Sequence, residues 1–453
     1  MATTETHIAP TLPPCSHEPQ PYSGPSKEEL IAMRRQFVNP AVFTLYREPL
    51  LIVEGHMQYL WDETGKRYLD MFAGIVTVSC GHCHPKVTAA VRNQLEKLQH
   101  TTTIYLHPNL PQLAKKLASK MPSGLDVTYF VNSGSEANDL AITMARLYTG
   151  NHDVVAVRNA YHGGSPSTMA LTSLHTWKYP LTHAGGVHHA PNPDPFRSTF
   201  NGTPEELAML SANEIRDLIR YSTPGKVAAF IAEPIQGVGG ATHGASNYFR
   251  EVYSIIRENG GLCIADEVQT GFGRTGDHYW GFQNFGVIPD IVTMAKGIGN
   301  GAPLAAVTTR LDIAQTLTQR THFNTYGGNP VSMAAGLAVL DAIDEDGLQE
   351  NSRVVGAHLK RGLTELMRRH SIVGDVRGMG LMLGVELVRD RATREPAKGE
   401  TADVLEAARE MGMLIGKGGL DGNVLRIKPP MCITREDVDF AVEVLDIAFS
   451  RVS

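Results

Sequence analysis

Between about residue 80 and residue 330 the chain alternates short, almost wholly apolar runs with longer stretches of helical period. The runs are Val127–Val131, Val154–Val157, Val227–Ala232, Leu262–Ala265 and Ile291–Ala295. Strands that are apolar at every position have both faces covered, and strands separated by helices pair in parallel. One intervening helix is plain, with Ala137, Leu140, Ala141, Met144, Ala145 and Tyr148 recurring at helical spacing. The stretch from Leu171 to Thr203, rich in Pro, His, Gly and Asn, predicts an irregular excursion with little regular structure.

The flanks follow other patterns. Residues 1 to about 26, rich in Pro, Ser, Thr and His, predict an extended or poorly ordered arm. Ser26 and Glu29 have the spacing of a capping box and predict a helix from there. Tyr59–Asp62 and Arg67–Asp70, separated by Glu63-Thr64-Gly65-Lys66, predict a β-hairpin. After Gly328-Asn329-Pro330 the chain is helical to about residue 368. Short strands follow near Val373–Val376, Leu381–Leu387, Met413–Ile415 and Val424–Ile427, then a final helix from about residue 435. The expected division is an arm and a segment contributing to the small domain (1–79), a large domain (80–330) and a smaller α+β domain (331–453).

A length of 453 residues exceeds one ordinary core, and 42% hydrophobic with 19% charged residues fits a globular enzyme. The net charge of −6 gives no electrostatic case for nucleic acid. No run reaches the roughly 18 apolar residues of a membrane helix. Five scattered cysteines make no disulfide framework. The first residues lack an apolar core of the secretory kind and carry Glu5, Glu18, Glu28 and Glu29, unlike a transit peptide, so a cytoplasmic protein is expected.

The chemistry gathers where apolar runs end. Lys296 closes one run and precedes Gly297-Ile298-Gly299-Asn300-Gly301. Burial there lowers an amine's pKa and leaves a nucleophile able to form a Schiff base. Asp266 closes another run, thirty residues earlier. A Schiff-base lysine and a buried aspartate that can pair with a pyridinium nitrogen are what pyridoxal 5'-phosphate (PLP) requires. Gly134 and Ser135 lie where the plain helix begins, a place for a phosphate or for simple capping by Ser133 or Ser135. Tyr161, Glu233 and Gln269 follow further runs, at the sheet edge where α/β proteins bind ligands. Two other motifs compete. Cys80-Gly81-His82-Cys83-His84 has the spacing of haem attachment, without an export signal or further metal ligands. Gly271–Gly276 matches a dinucleotide-binding glycine pattern, but no convincing helix opens after it.

Together, Asn132–Asn138, Glu233–Gly237, Asp266–Gly271, Met294–Gly301 and Asn324–Pro330 make the chain resemble the class III aminotransferases from about residue 20 onward. Gly74–Pro85 and Phe323–Pro330 are similar to the alanine–glyoxylate branch, also associated with β-aminoisobutyrate–pyruvate transamination. The resemblance implies PLP fold type I, with a mostly parallel seven-stranded sheet between helices and a smaller α+β domain. It implies that Lys296 holds PLP covalently and that Asp266 keeps the ring nitrogen protonated. Gly134 and Ser135 would bind the phosphate, Tyr161 would stack on the ring, and Gln269 would approach the ring hydroxyl. Glu233 and His162 would complete the cofactor site, while Thr325 would reach the phosphate of a neighbouring subunit. A homodimer with composite sites follows, and pairing of dimers into tetramers stays open. Arg426 would grip the substrate carboxylate, with Tyr46 and Ile75 facing the substrate. Val238 and Ile75 stand where ornithine-type members carry glutamate and tyrosine, which favours a small apolar amino acid. The expected reaction is ping-pong transamination from alanine, β-alanine or β-aminoisobutyrate to glyoxylate or pyruvate. Transamination of 4-aminobutyrate or another ω-amino acid, racemisation and decarboxylation on the same scaffold stay open.

Overall fold

The computed structural model describes residues 10–183 and 185–452, whose strands form three sheets. Strands β1 (Ile52–His56), β2 (Tyr59–Asp62) and β3 (Arg67–Asp70) make an antiparallel meander. The hairpin read from the sequence is its second half, and Asp62 Oδ1 closes the turn by accepting from Thr64 N and Lys66 N.

The central sheet contains β4 (Val127–Val131), β5 (Val154–Val157), β6 (Val187–Ala190), β7 (Ala229–Ala232), β8 (Leu262–Asp266), β9 (Ile291–Met294) and β10 (Ala305–Thr309), in the order β4-β10-β9-β8-β7-β5-β6. All are parallel except β10, which runs antiparallel between β4 and β9. Every residue of β5, β7, β8, β9 and β10 is buried, because alternate side chains enter two separate cores. Val154, Ile231 and Ile264 pack with Ala137, Leu140 and Ala141 of the helix Gly134–Thr149. Val155, Phe230 and Cys263 join the opposite core with Val252 and Ile256 of the helix Tyr248–Glu258.

The C-terminal part adds β11 (Val373–Met379), β12 (Met382–Asp390), β13 (Glu395–Pro396), β14 (Met413–Leu414), β15 (Gly416–Gly418) and β16 (Val424–Ile427), flanked by the helices Leu348–Arg369, Lys398–Glu410 and Arg435–Ser450. β14 pairs in parallel with β3, so the meander near the N-terminus belongs with this C-terminal layer.

Three expectations change. The segment 171–203 is not merely irregular: it contains β6, the edge strand beside β5. Its sequence, Val-His-His-Ala, hides it, because an edge strand is only partly covered and keeps polar side chains. β10 lies outside the predicted runs, although its β-branched Val307-Thr308-Thr309 favour a strand. From residue 10 the arm is docked and not loose. Arg67 Nη2 donates to Pro13 O at 2.6 Å, and the His17 ring stacks on His56 at 4.5 Å. Residues 1–9 of the expected arm lie outside the described residues. The capping box holds as read, with Ser26 N donating to Glu29 and Glu29 N donating to Ser26 Oγ.

Candidate active site

Because β5, β7, β8 and β9 are parallel, their carboxyl ends reach the same sheet edge, where α/β folds place ligands. At or just past these ends lie Tyr161 and His162, Glu233, Asp266 and Lys296. The register pairs Asp266 with Thr293, so Lys296 leaves the neighbouring strand three residues further on.

Asp266 is 3% exposed, and its carboxylate is held from three sides. Asn138 Nδ2 donates to Oδ2 at 2.8 Å, His162 Nδ1 lies 2.8 Å from Oδ2, and Val268 N donates to Oδ1 at 3.1 Å. No Lys or Arg pairs with it among the described residues. A carboxylate oriented this way, without a permanent cation, suits a protonated ring nitrogen as its missing partner. Asn138 was not singled out from the sequence. It is fixed by Thr293 Oγ1, which donates to Asn138 Oδ1 at 2.7 Å. The signal was present: Asn138 is a polar, 1% exposed residue inside the apolar stripe of its helix.

Lys296 adopts φ 50°, an unfavourable backbone for a residue with a side chain. Burial lowers its pKa, against the pull of Asp266 and Glu233, and favours the nucleophilic neutral amine. Glu233 accepts from Tyr161 N at 3.0 Å and Gly237 N at 2.6 Å, and burial raises its pKa.

The helix Gly134–Thr149 is capped by Ser133, whose hydroxyl accepts from Glu136 N. That settles the choice of cap and leaves Ser135 in the first turn. Ser135 Oγ accepts from Gly164 N at 3.1 Å, joining the helix start to the loop after β5. A Cβ on Gly163 would lie 2.4 Å from Ser135 Oγ, so the two segments meet only through glycine. Free backbone N–H groups at this helix start, beside a small hydroxyl, fit a phosphate. Tyr161 packs edge-on against Trp177 at 4.9 Å. The donor set therefore fits the cofactor: amine, shielded carboxylate and helix start sit along one edge.

Arg426 on β16 is 5% exposed, and no carboxylate pairs with its guanidinium among the described residues. Its Nη2 reaches Gln269 Oε1 at 3.4 Å, its Nε is buried without a partner, and its plane lies 5.2 Å from the Phe72 ring. It borders a cleft of about 950 Å³ together with Tyr161, Trp177, Val238 and Lys417. Burial pushes its pKa down to about 10.

Phe72 is set by an unusual turn. Ala73, Gly74, Ile75 and Val76 all have positive φ, from 51° to 65°. Left-handed backbone costs roughly 1–2 kcal/mol per non-glycine residue. Asp70 Oδ1 offsets part of this cost by accepting from Phe72 N and Ala73 N, each at 2.8 Å. The turn leaves Ile75 47% exposed. The Tyr46 hydroxyl donates to Ile415 O at 3.3 Å and accepts from Ile415 N at 3.2 Å. Thr325 is exposed on the single chain, between Phe323 and Tyr326, which are 50% and 66% exposed. Its neighbour Asn324 ties this loop to the helix start by accepting from Asn132 Nδ2 at 3.0 Å.

The competing motifs disperse. Cys80 is buried, Cys83 is exposed, His82 pairs with Asp70 at 2.7 Å, and His84 pairs with Asp346 at 2.8 Å. Gly271–Gly276 forms buried turns, and only a short 3-10 segment, Gly281–Phe285, follows.

The model of the family "Aminotransferase class-III" matches residues 45–449. An Arabidopsis thaliana protein named alanine–glyoxylate aminotransferase 2 homolog 2, mitochondrial, is 53% identical over 441 residues, covering 97% of this chain and 91% of that protein. The Homo sapiens protein named alanine–glyoxylate aminotransferase 2, mitochondrial, is 44% identical over 465 residues, covering 98% of this chain and 90% of that protein. An amine transaminase from an uncultivated Pseudomonas species, solved with PLP bound, matches with a TM-score of 0.86 and 32% identity, covering 92% of this chain and 99% of that one.

Proposed function

The chain belongs to the class III aminotransferases, PLP enzymes of fold type I, and from that premise we propose that it moves the amino group of a small amino acid to glyoxylate or pyruvate in two half-reactions. The donor is of the alanine, β-alanine or β-aminoisobutyrate type. The observation that carries the substrate class is Arg426, a buried guanidinium facing the cleft with no acid of its own. A buried cation kept without a carboxylate partner is completed by a carboxylate that arrives and leaves. Val238, also on the cleft, brings no acid to compete for it. The names of the relatives support the alanine–glyoxylate pairing.

Bound at this edge, PLP supplies a ring that draws electrons from the carbon bearing the substrate nitrogen. Asp266 keeps a proton on the ring nitrogen, with Asn138, His162 and Val268 N holding its carboxylate in place. The N–H groups of Gly134 and Ser135 and the Ser135 hydroxyl hold the phosphate. Lys296 Nζ would anchor the cofactor covalently, and, released when the substrate amine takes its place, would serve as the base that accepts the proton of the substrate carbon. Gln269 would approach the ring oxygen and Tyr161 would cover the ring, and Glu233 orders the loop beside them by accepting from Tyr161 N and Gly237 N. Arg426 orients the carboxylate so that the reacting carbon faces Lys296. The exposed Thr325 serves the phosphate of a second copy of the chain, which makes the active form a homodimer.

Both relatives are named mitochondrial, so they give no support to a cytoplasmic location. No helix among the described residues is long and apolar enough to cross a membrane.

The test is product analysis after incubating the PLP-loaded protein with L-alanine and glyoxylate. Pyruvate and glycine in equal amounts are expected, with little transfer from ornithine. Formation of D-alanine or carbon dioxide without glycine would replace this reading by racemisation or decarboxylation.

A further inference from the structure

Lys428 follows β16 two residues after Arg426 and is completely buried. Its backbone N donates to Met71 O at 2.8 Å. Its amine donates to Gly237 O at 3.0 Å and to Gln269 Oε1 at 3.1 Å. Arg426 Nη2 approaches the same Gln269 oxygen at 3.4 Å. The transamination steps above do not use this lysine.

The geometry constrains Gln269 in two ways. First, its carboxamide lies flat on Gly237, where an added Cβ would come within 2.3 Å of Cδ, Oε1 and Nε2. Second, the Arg426 guanidinium at one end can only donate, and the Lys428 amine donates to the same atom, so that end is the oxygen. The Nε2H2 end is therefore turned away from Lys428 and Arg426. Of the two donors, Lys428 is closer, and its other hydrogen bond is to a fixed backbone carbonyl. Arg426 is the one that a substrate carboxylate would draw away.

We propose that Lys428 is a positioning residue that locks the Gln269 carboxamide with its NH2 toward the ring oxygen of the cofactor, and keeps it there when Arg426 turns to the substrate. This rests on the cofactor reading given above. Burial, reinforced by Arg426 and Lys296 and opposed by Glu233, pushes the Lys428 pKa well down.

The consequence is spectroscopic. A donor on the ring oxygen competes with the proton carried by the nitrogen that Lys296 contributes to the bound cofactor. Freeing Gln269 weakens that competition and raises the pH at which the nitrogen loses its proton. A net hydrogen bond of about 0.5–1.5 kcal/mol corresponds to a shift of roughly 0.4–1 pH unit.

The experiment records the visible spectrum of PLP-loaded enzyme against pH for wild type, Lys428→Met, Gln269→Ala and the double variant, with thermal melting as a check on folding. Lys428→Met should raise the midpoint by roughly 0.4–1 pH unit. It should add nothing further in the Gln269→Ala background. Lys428→Gln keeps a donor, should restore part of the shift, and carries the test if Lys428→Met fails to fold. An unchanged midpoint in both Lys428 variants, or shifts that add fully to that of Gln269→Ala, would overturn the proposal. Failure of wild type to acquire a visible band with PLP would instead overturn the cofactor reading.

Discussion

Replacing Arg426 with methionine should harm substrate binding and leave the protein as stable as before, or more so. The guanidinium is 5% exposed, lacks an acid partner and leaves Nε unbonded. Its pKa falls from the ordinary arginine value to about 10, with burial the largest cause. At about 1.4 kcal/mol per unit, this is an electrostatic cost of about 3 kcal/mol for the folded state. The sign is that of a depressed base. The unfolded state binds the proton more tightly, so the cost is fully present below about pH 10 and is relieved only as pH rises from there toward the ordinary arginine value. Methionine removes that cost and forfeits the Phe72 contact and the long bond to Gln269, together about 1–3 kcal/mol. The melting temperature should therefore stay level or rise by a few degrees. Binding behaves oppositely, because losing one member of a buried charged pair costs about 2–4 kcal/mol, or roughly 30- to 1,000-fold in KM for alanine. The assays are thermal melting of the PLP-loaded protein and initial rates over a range of alanine concentrations. A melting temperature lowered by more than a few degrees would mean that Arg426 has a structural partner after all. An unchanged KM would remove it from the substrate site.

Three further outcomes follow from the same geometry. Lys296→Ala should show no turnover without added amine, and borohydride should fix no PLP to the chain; appreciable catalysis by this variant would refute the assignment of the base. Asp266→Asn keeps the shape and loses the charge on the ring nitrogen, so kcat should fall about 100- to 1,000-fold with melting little changed, as rapid kinetics would record. Mixing Lys296→Ala subunits with Thr325→Val subunits, refolded together, should restore activity that neither has alone, because each hybrid dimer keeps one complete site; no recovery would place Thr325 in its own subunit's site or in none.

Much of this protein is legible along the chain, for a local reason. Strands buried in the middle of the sheet are almost wholly apolar, so β5, β7, β8 and β9 announce themselves, and parallel pairing then aligns the ends that carry Tyr161, Glu233, Asp266 and Lys296. The capping box of Ser26 and Glu29 and the hairpin around Thr64 and Gly65 are equally local. Tertiary structure decided what depends on neighbours distant in sequence. β6 carries a weak strand signal and exists because the open edge beside β5 accepts it, and the place of β10 between β4 and β9 is set by pairing. Asn138 and His162 meet Asp266 across separations of 128 and 104 residues. The left-handed turn at Ala73–Val76 is strained backbone that only its surroundings can hold, and the Tyr46 hydroxyl meets the Ile415 backbone across 369 residues. Lys428 reads as one lysine among many until folding buries it against Gln269 and Gly237, because burial and orientation belong to the packed chain and not to the residue.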